Sequence, residues 1–198
     1  MENIDCGVKG IAVVAEEISE NTFAEAMQIL SCAEKDIILD VKSTKRRLEI
    51  AATRLLLKNT FGNDALLLHT EQGAPFIENY SGNISISHSK DKVYIAFSPL
   101  HKVGVDIQYW SKSLVRVTSK YLSDREAEAI NVSDRQALLK AWTVKEAVYK
   151  LLGIKDLSLK SIDTLKDDIL TVMHCGTTYQ IKIHTITTDD FSLAIAWM

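Results

Sequence analysis

The sequence predicts a mixed α+β fold, because two long helical patterns, over residues 44–61 and 134–151, are each followed by short runs that alternate with period two. Length and composition set the scale: 198 residues, 46% hydrophobic and 25% charged, suffice to bury a substantial core. With only 8 Gly and 2 Pro, collagen-like, Pro-rich and linker-dominated architectures are excluded.

Gly10 to Ala15 reads as a short buried strand, and Asn21 and Thr22 open a helical stretch through Cys32. With Ser43 or Thr44 as N-cap, Leu48, Ala51, Ala52, Leu55 and Leu56 recur at helical spacing until Asn59, Gly62 and Asn63 stop the helix. After Gly73-Ala74-Pro75, the runs Asn83 to His88, Val93 to Phe97 and Lys102 to Gln108 alternate and predict three neighbouring strands in a meander. Ser123 with Glu126 and Ser133 with Gln136 have capping-box spacing, so a helix should begin at each. The second runs through Leu138, Leu139, Trp142, Glu146 and Tyr149 to a glycine stop at Gly153. Ile169 to Met173, Thr178 to Ile183 and Phe191 to Trp197 complete a second set of strands.

The charge balance, 23 Lys+Arg against 26 Asp+Glu, gives −3, so composition points to neither a nucleic acid nor an anionic membrane as partner. No apolar run approaches the roughly 18 residues of a membrane span. The opening Met1-Glu2-Asn3-Ile4-Asp5 lacks the basic and apolar regions of a secretory signal, which gives the expectation of a cytoplasmic protein. Cys6, Cys32 and Cys175 read as reduced thiols, with no CxxC or Cys/His cluster of zinc spacing.

Several residues can carry chemistry. In Val103 to Gln108 the alternation puts Asp106 and Gln108 on the face of Gly104, where a ligand or another backbone can approach, so Asp106 can hold a hard cation or be an ordinary strand-end acid. Glu146 and Lys150 stand one helical turn apart. They are either a surface pair or, with Trp142 and Tyr149 at compatible angles, a partly buried acid that wants a cation. Ser87 and His88 can donate hydrogen bonds to a phosphate, although His88 can also be structural. Lys45, Arg46 and Arg47 crowd a helix N-terminus, where cations oppose the helix dipole unless an anion binds nearby. Lys112, Arg116 and Lys120 recur at four-residue spacing, a cationic ridge if helical. For both basic groups a solvated face is the alternative.

The order and wording of three segments resemble the Sfp-type 4'-phosphopantetheinyl transferase family. These are Gly73-Ala74-Pro75 with the apolar residue after it; Ile84-Ser85-Ile86-Ser87-His88-Ser89, leading through Ala96-Phe97 to Gly104-Val105-Asp106-Ile107; and Trp142-Thr143-Val144-Lys145-Glu146-Ala147-Val148-Tyr149-Lys150 with Gly153. The resemblance spans about residues 45–155. It implies a pseudo-two-fold pair of similar α/β halves, residues 1–108 and 109–198, each a small antiparallel sheet packed on a long helix, in a chain sufficient as a monomer. The implied reaction moves the phosphopantetheine arm of coenzyme A to a serine of an apo acyl, polyketide or peptidyl carrier protein and releases 3',5'-ADP. The resemblance further implies Mg2+ held by Asp106 and Glu146 with Gln108 or water, Glu146 as base, and Lys150 stabilising phosphate charge. It assigns coenzyme A contacts to Ser87, His88 and Lys145, with cations from Lys45, Arg46 or Arg47, and makes the Lys112-Arg116-Lys120 ridge the carrier-docking surface. Two positions depart from the family: Gln108, where a second acid is common, and Ala74, where a lysine is common. A non-catalytic module binding coenzyme A or a carrier, and a metal-dependent phosphohydrolase, are the competing readings.

Overall fold

A computed structural model of the chain describes residues 1–166 and 168–198. Strands β1 (Glu2–Ile4), β2 (Ala12–Glu17), β5 (Asn83–Ser89) and β6 (Lys92–Ser98) form an antiparallel sheet in the order β1-β2-β6-β5. A second antiparallel sheet has the order β7-β10-β9-β8, from β7 (Val103–Tyr109), β8 (Ile169–His174), β9 (Thr177–Thr187) and β10 (Phe191–Trp197). A small hairpin, β3 (Leu67–His69) with β4 (Pro75–Ile77), stands beside the first sheet. Among the helices, α1 (Glu20–Ile29), α2 (Cys32–Leu39) and α3 (Thr44–Phe61) precede that hairpin, and α4 (Lys112–Arg116), α5 (Thr118–Tyr121), α6 (Asp124–Ala129) and α7 (Arg135–Leu152) follow β7.

Strand alternation explains why both sheets are buried on both faces. Val13, Ala15, Tyr94 and Ala96 of the first sheet meet Val105, Ile107, Leu193 and Ile195 of the second in one central core. The residues between them point outward: Val14, Val93 and Ile95 pack on Ala52 and Leu56 of α3, and Ala194 and Ala196 pack on Val144, Ala147 and Val148 of α7. The layers therefore run α3, first sheet, second sheet, α7, the paired α+β arrangement the sequence predicts.

The start of α3 and the end of α7 are as their sequences dictate. Ser43 caps α3 by accepting from the Arg46 amide, and Gly153 ends α7 in the left-handed conformation at φ 67°. Three expectations need correction. The stretch through Cys32 is two helices, since Leu30 is extended and Ser31 opens α2 with a reciprocal Ser31–Glu34 capping box. Ser123–Glu126 forms its capping box at α6, whereas α7 is capped by Asp134, which accepts from the Ala137 amide; Gln136 instead donates to Asp189. Finally, β5, β6 and β7 are not a meander, because β7 leaves the first sheet and pairs with β10. The passage between sheets lies in residues 99–102, ahead of β7, rather than at residue 108.

Gly104 explains how closely α7 lies on β7. A Cβ there would overlap the Ala147 carbonyl oxygen and stand 2.8 Å from the Leu151 amide nitrogen. Gly104→Ala is expected to push the helix off the strand and destabilise the protein by about 1–3 kcal/mol, the usual range for overpacking. Urea denaturation checks this, with the midpoint lowered.

Candidate active site

Three serines of β5 join the two sheets. Ser85, Ser87 and Ser89 accept hydrogen bonds from the amides of Val105, Ile107 and Tyr109 at 2.9, 3.2 and 3.3 Å. Alternation puts all three on the β7 side of the strand. Ser87 also donates to Asp106 Oδ1 at 2.8 Å and is 3% exposed. Its expected coenzyme A contact is therefore corrected: the hydroxyl is committed to orienting Asp106 inside the seam.

Asp106 projects from β7 toward α7, where Lys150 Nζ donates to its Oδ1 at 2.7 Å. The same ammonium donates to the carbonyls of Ile86 at 3.2 Å and Val105 at 3.0 Å, so its three protons are all engaged and it ties β5, β7 and α7 together. Burial pushes the Asp106 carboxyl up, opposed by Lys150 and Ser87. Glu146 stands one turn before Lys150 on α7, partly buried. Burial pushes its carboxyl up too, the neighbouring Asp106 adds to the shift, and Lys150 opposes it. The structure thus brings Asp106, Glu146 and Lys150, from a strand and a helix, into one electrostatic cluster.

Two carboxylates beside a single cation are one positive charge short, and their oxygens are hard donors. That donor chemistry fits a divalent ion such as Mg2+. Gln108 shares the Asp106 face of β7, and its side-chain nitrogen donates to the Tyr109 carbonyl at 2.7 Å, so its amide oxygen is the atom an ion would use.

Beside the cluster opens a cleft of about 1020 Å³, lined by α3, the β3–β4 hairpin, β5 and the C-terminal end of α7. Its polar lining includes Arg46, Thr53, Arg54, His88 and Lys150, and its apolar lining includes Ile50, Leu67, Phe76 and Ile86. His88 hydrogen-bonds Thr53 Oγ1 at 2.9 Å, and that hydroxyl also donates to the Glu49 carbonyl at 2.7 Å. With its proton used there, Thr53 accepts from His88 Nε2. Burial, with Arg46 and Lys150 adding to it and Glu49 opposing, holds the imidazole down to about 4, so it is neutral near pH 7. The ring is ordinarily protonated below about 6.5 when unfolded. The folded state consequently binds fewer protons between the two values, and stability falls as pH drops from 6.5 toward 4. His88→Gln is expected to flatten that slope in denaturation curves recorded across this window.

The three clustered cations separate. Arg46 lines the cleft and pairs with Glu49 at 2.9 Å. Lys45 is 77% exposed, and Arg47 donates to the carbonyls of Val41 and Leu39, bracing the α2–α3 turn. Lys145 does not reach the cleft at all, which corrects its expected coenzyme A contact. It is fully buried and donates to Glu126 at 2.8 Å, to the Leu159 carbonyl at 3.0 Å and to the Ile162 carbonyl.

Sequence reasoning gave no site role to two contributors. Arg54 lies on the cleft wall at 8% exposure, paired with Glu34 at 3.4 Å, with a buried Nε that finds no partner among the described residues. The signal was a basic residue amid the apolar positions of α3. The β3–β4 hairpin, which supplies a whole wall, rests on three-residue strands too short for periodicity to register. No helix among the described residues is long and apolar enough to cross a membrane.

A part-buried acid–lysine–acid cluster beside a cleft, at the seam of two α+β halves, is suited to holding a cation against an anionic substrate. The family model described as the 4'-phosphopantetheinyl transferase superfamily matches residues 102–196, which contain Asp106, Glu146 and Lys150. Two curated relatives, the 4'-phosphopantetheinyl transferases AcpT of Escherichia coli strain K12 and of Escherichia coli O157:H7, are each 28% identical over 138 residues, covering 66% of this chain and 70% of the relative. Over these residues the chain is similar to the 4'-phosphopantetheinyl transferase superfamily.

Proposed function

We propose that the protein is an Sfp-type enzyme, carrying both halves in one chain, that transfers the phosphopantetheine arm of coenzyme A to a serine of an apo carrier protein and releases 3',5'-ADP. The observation that carries this reading is the Lys150–Asp106 pair beside the cleft, with Glu146 one helical turn before Lys150 on α7. The serine hydroxyl attacks the β-phosphate, a new P–O bond forms, and the P–O bond to the departing 3',5'-ADP breaks. Asp106 and Glu146 would hold Mg2+, with Gln108 or water beside them; when bound, the ion neutralises the diphosphate and aligns it.

The chain's own groups do the rest. Glu146, its carboxyl raised in pKa by burial and by Asp106, is the acceptor for the serine proton, directly or through water. Lys150 contributes positive charge beside the diphosphate while holding Asp106. His88 and Arg46 line the cleft, where they meet the 3'-phosphate. Gly73, Ala74 and Pro75 form the hairpin wall, and Ala74 leaves the phosphate with one cation fewer. A phosphate dianion against His88 favours the imidazolium, so coenzyme A affinity should rise as pH falls toward 6, whereas dephospho-coenzyme A affinity should not. Calorimetric titration of both ligands across pH checks this.

The carrier partner is of acidic type. Lys112, Arg116 and Lys120 are all exposed on α4 and α5 and support an acidic docking partner, while Leu114 and Tyr121 point into the core and are unavailable to it. The reading is tested by incubating the protein with coenzyme A, Mg2+ and a panel of apo carriers and weighing the carriers. A gain of the phosphopantetheine mass is expected on at least one. Coenzyme A binding without mass gain on any carrier would favour a non-catalytic module, and hydrolysis of coenzyme A without a carrier would favour a phosphohydrolase.

A further inference from the structure

We propose that Asp156, His174 and Cys175 form a binding site for a single zinc ion, made of other residues than the Asp106–Glu146 cluster and different in chemistry. Cys175 Sγ stands 3.3 Å from His174 Nε2, and the same nitrogen stands 3.4 Å from Asp156 Oδ1. The three atoms all lie within 4.8 Å of one another. Around a tetrahedral zinc with Zn–N near 2.0–2.1 Å and Zn–S near 2.3 Å, ligand-to-ligand edges are roughly 3.3–3.6 Å. The Cys175–His174 and His174–Asp156 contacts already have that length. One imidazole nitrogen facing both a sulfur and a carboxylate oxygen cannot satisfy both with a single proton or lone pair, whereas a metal on that nitrogen's axis serves all three.

The backbone explains how neighbours on a strand come to share one side. His174 ends β8 and pairs with Thr177, so Cys175 and Gly176 form a two-residue hairpin turn, with φ of 45° and 77°. Leaving the extended conformation at Cys175 releases its side chain from the opposite face of the strand. Asp156 arrives from the turn that follows the left-handed Gly153 at the end of α7. An 18-residue separation between Asp156 and His174 hides the set from any spacing rule.

Imidazole and thiolate select zinc over Mg2+, so the ion of the Asp106–Glu146 cluster does not compete here. Three protein ligands leave a fourth position to water. Bound zinc would staple the segment after α7, whose Lys155 lines the cleft, to the β8–β9 hairpin, and would stabilise the fold by mass action.

The test is Co2+ titration of the full chain, reduced and in excess Mg2+, followed by ultraviolet and visible absorption, with zinc competition. One equivalent of Co2+ should give a thiolate charge-transfer band and tetrahedral d–d bands, both displaced by one equivalent of Zn2+, and Zn2+ should raise the melting temperature. Cys175→Ser should abolish the charge-transfer band, and His174→Ala should weaken binding on the order of tenfold or more, while Cys32→Ser leaves both unchanged. Cys32 and Cys175 are exposed and His174 is half-buried at the end of β8, and circular dichroism verifies that each variant is folded. Absence of a thiolate band, its survival in Cys175→Ser, or its loss in Cys32→Ser overturns the proposal.

Discussion

Glu146→Gln is expected to lower the rate of phosphopantetheine transfer by about 10²- to 10⁴-fold, the range general-base catalysis supplies. The isosteric amide keeps the volume of the side chain but neither accepts the serine proton nor offers a negative oxygen to a divalent ion. Coenzyme A should still bind, because the cleft walls proposed to take its nucleotide come from α3, the β3–β4 hairpin and β5. Steady-state kinetics with a carrier, paired with calorimetric titration of coenzyme A, separates the two effects. Burial and Asp106 raise the Glu146 carboxyl, so in the enzyme without substrate the deprotonated base appears at higher pH than for an ordinary glutamate. The acid limb of kcat/KM should shift upward accordingly. Turnover within a few-fold of the parent would remove Glu146 from the mechanism.

Lys145→Met is expected to destabilise the fold by about 3–5 kcal/mol, the range for removing one member of a buried ion pair. Glu126 and Lys145 are both fully buried. Glu126 accepts from the amide and hydroxyl of Ser123 at 2.9 and 3.0 Å, from the amide and hydroxyl of Thr164 at 2.9 and 2.6 Å, and from Lys145 at 2.8 Å. Burial alone would push this carboxyl up, but the bonds from Lys145, Thr164 and Ser123 together hold it below the usual range. Removing the ammonium leaves that charge uncompensated and takes a donor from the carbonyls of Leu159 and Ile162. The second change Glu126→Gln in the same chain should recover a large part of the loss by removing the stranded charge. Chemical denaturation of the single and double variants measures this, and a single variant within about 1 kcal/mol of the parent would contradict the buried-pair account.

The first half holds a counterpart: Glu34 of the Ser31 capping box pairs with Arg54 at 3.4 Å and Lys58 at 3.1 Å on α3. In each half a short capped helix thus presents a buried glutamate to a cation on the long helix. No sequence repeat announces this, since only the S-x-x-E cap and one basic position recur.

The long helices were legible because a core-facing helix repeats its apolar residues, and Ser43 and Gly153 state two of their ends, whereas the cap of α7 is Asp134 and not the expected Ser133. Asp106, Glu146 and Lys150 were legible as a set through the family resemblance, and the alternation of β7 put Asp106 and Gly104 on one face. The approach that Gly104 permits is that of α7 itself. Ser87 and Lys145 were misread for one reason: local pattern says which face of a strand or helix a side chain occupies, not what covers that face. The polar edge of β5 is covered by β7, and the Lys145 side of α7 by Glu126 and the turn at Leu159–Ile162. The β7 exchange between sheets lay beyond local pattern too, because three consecutive alternating runs look alike whether or not the third stays in register with the second.

Manganese binding in the presence of coenzyme A tests the convergence of the two acids most directly, by titration followed with electron paramagnetic resonance. One tightly held Mn2+ per chain is predicted for the parent protein, and its loss is predicted in Asp106→Asn and in Glu146→Gln alike. An undiminished single site in either variant would mean that the two carboxylates do not share one ion.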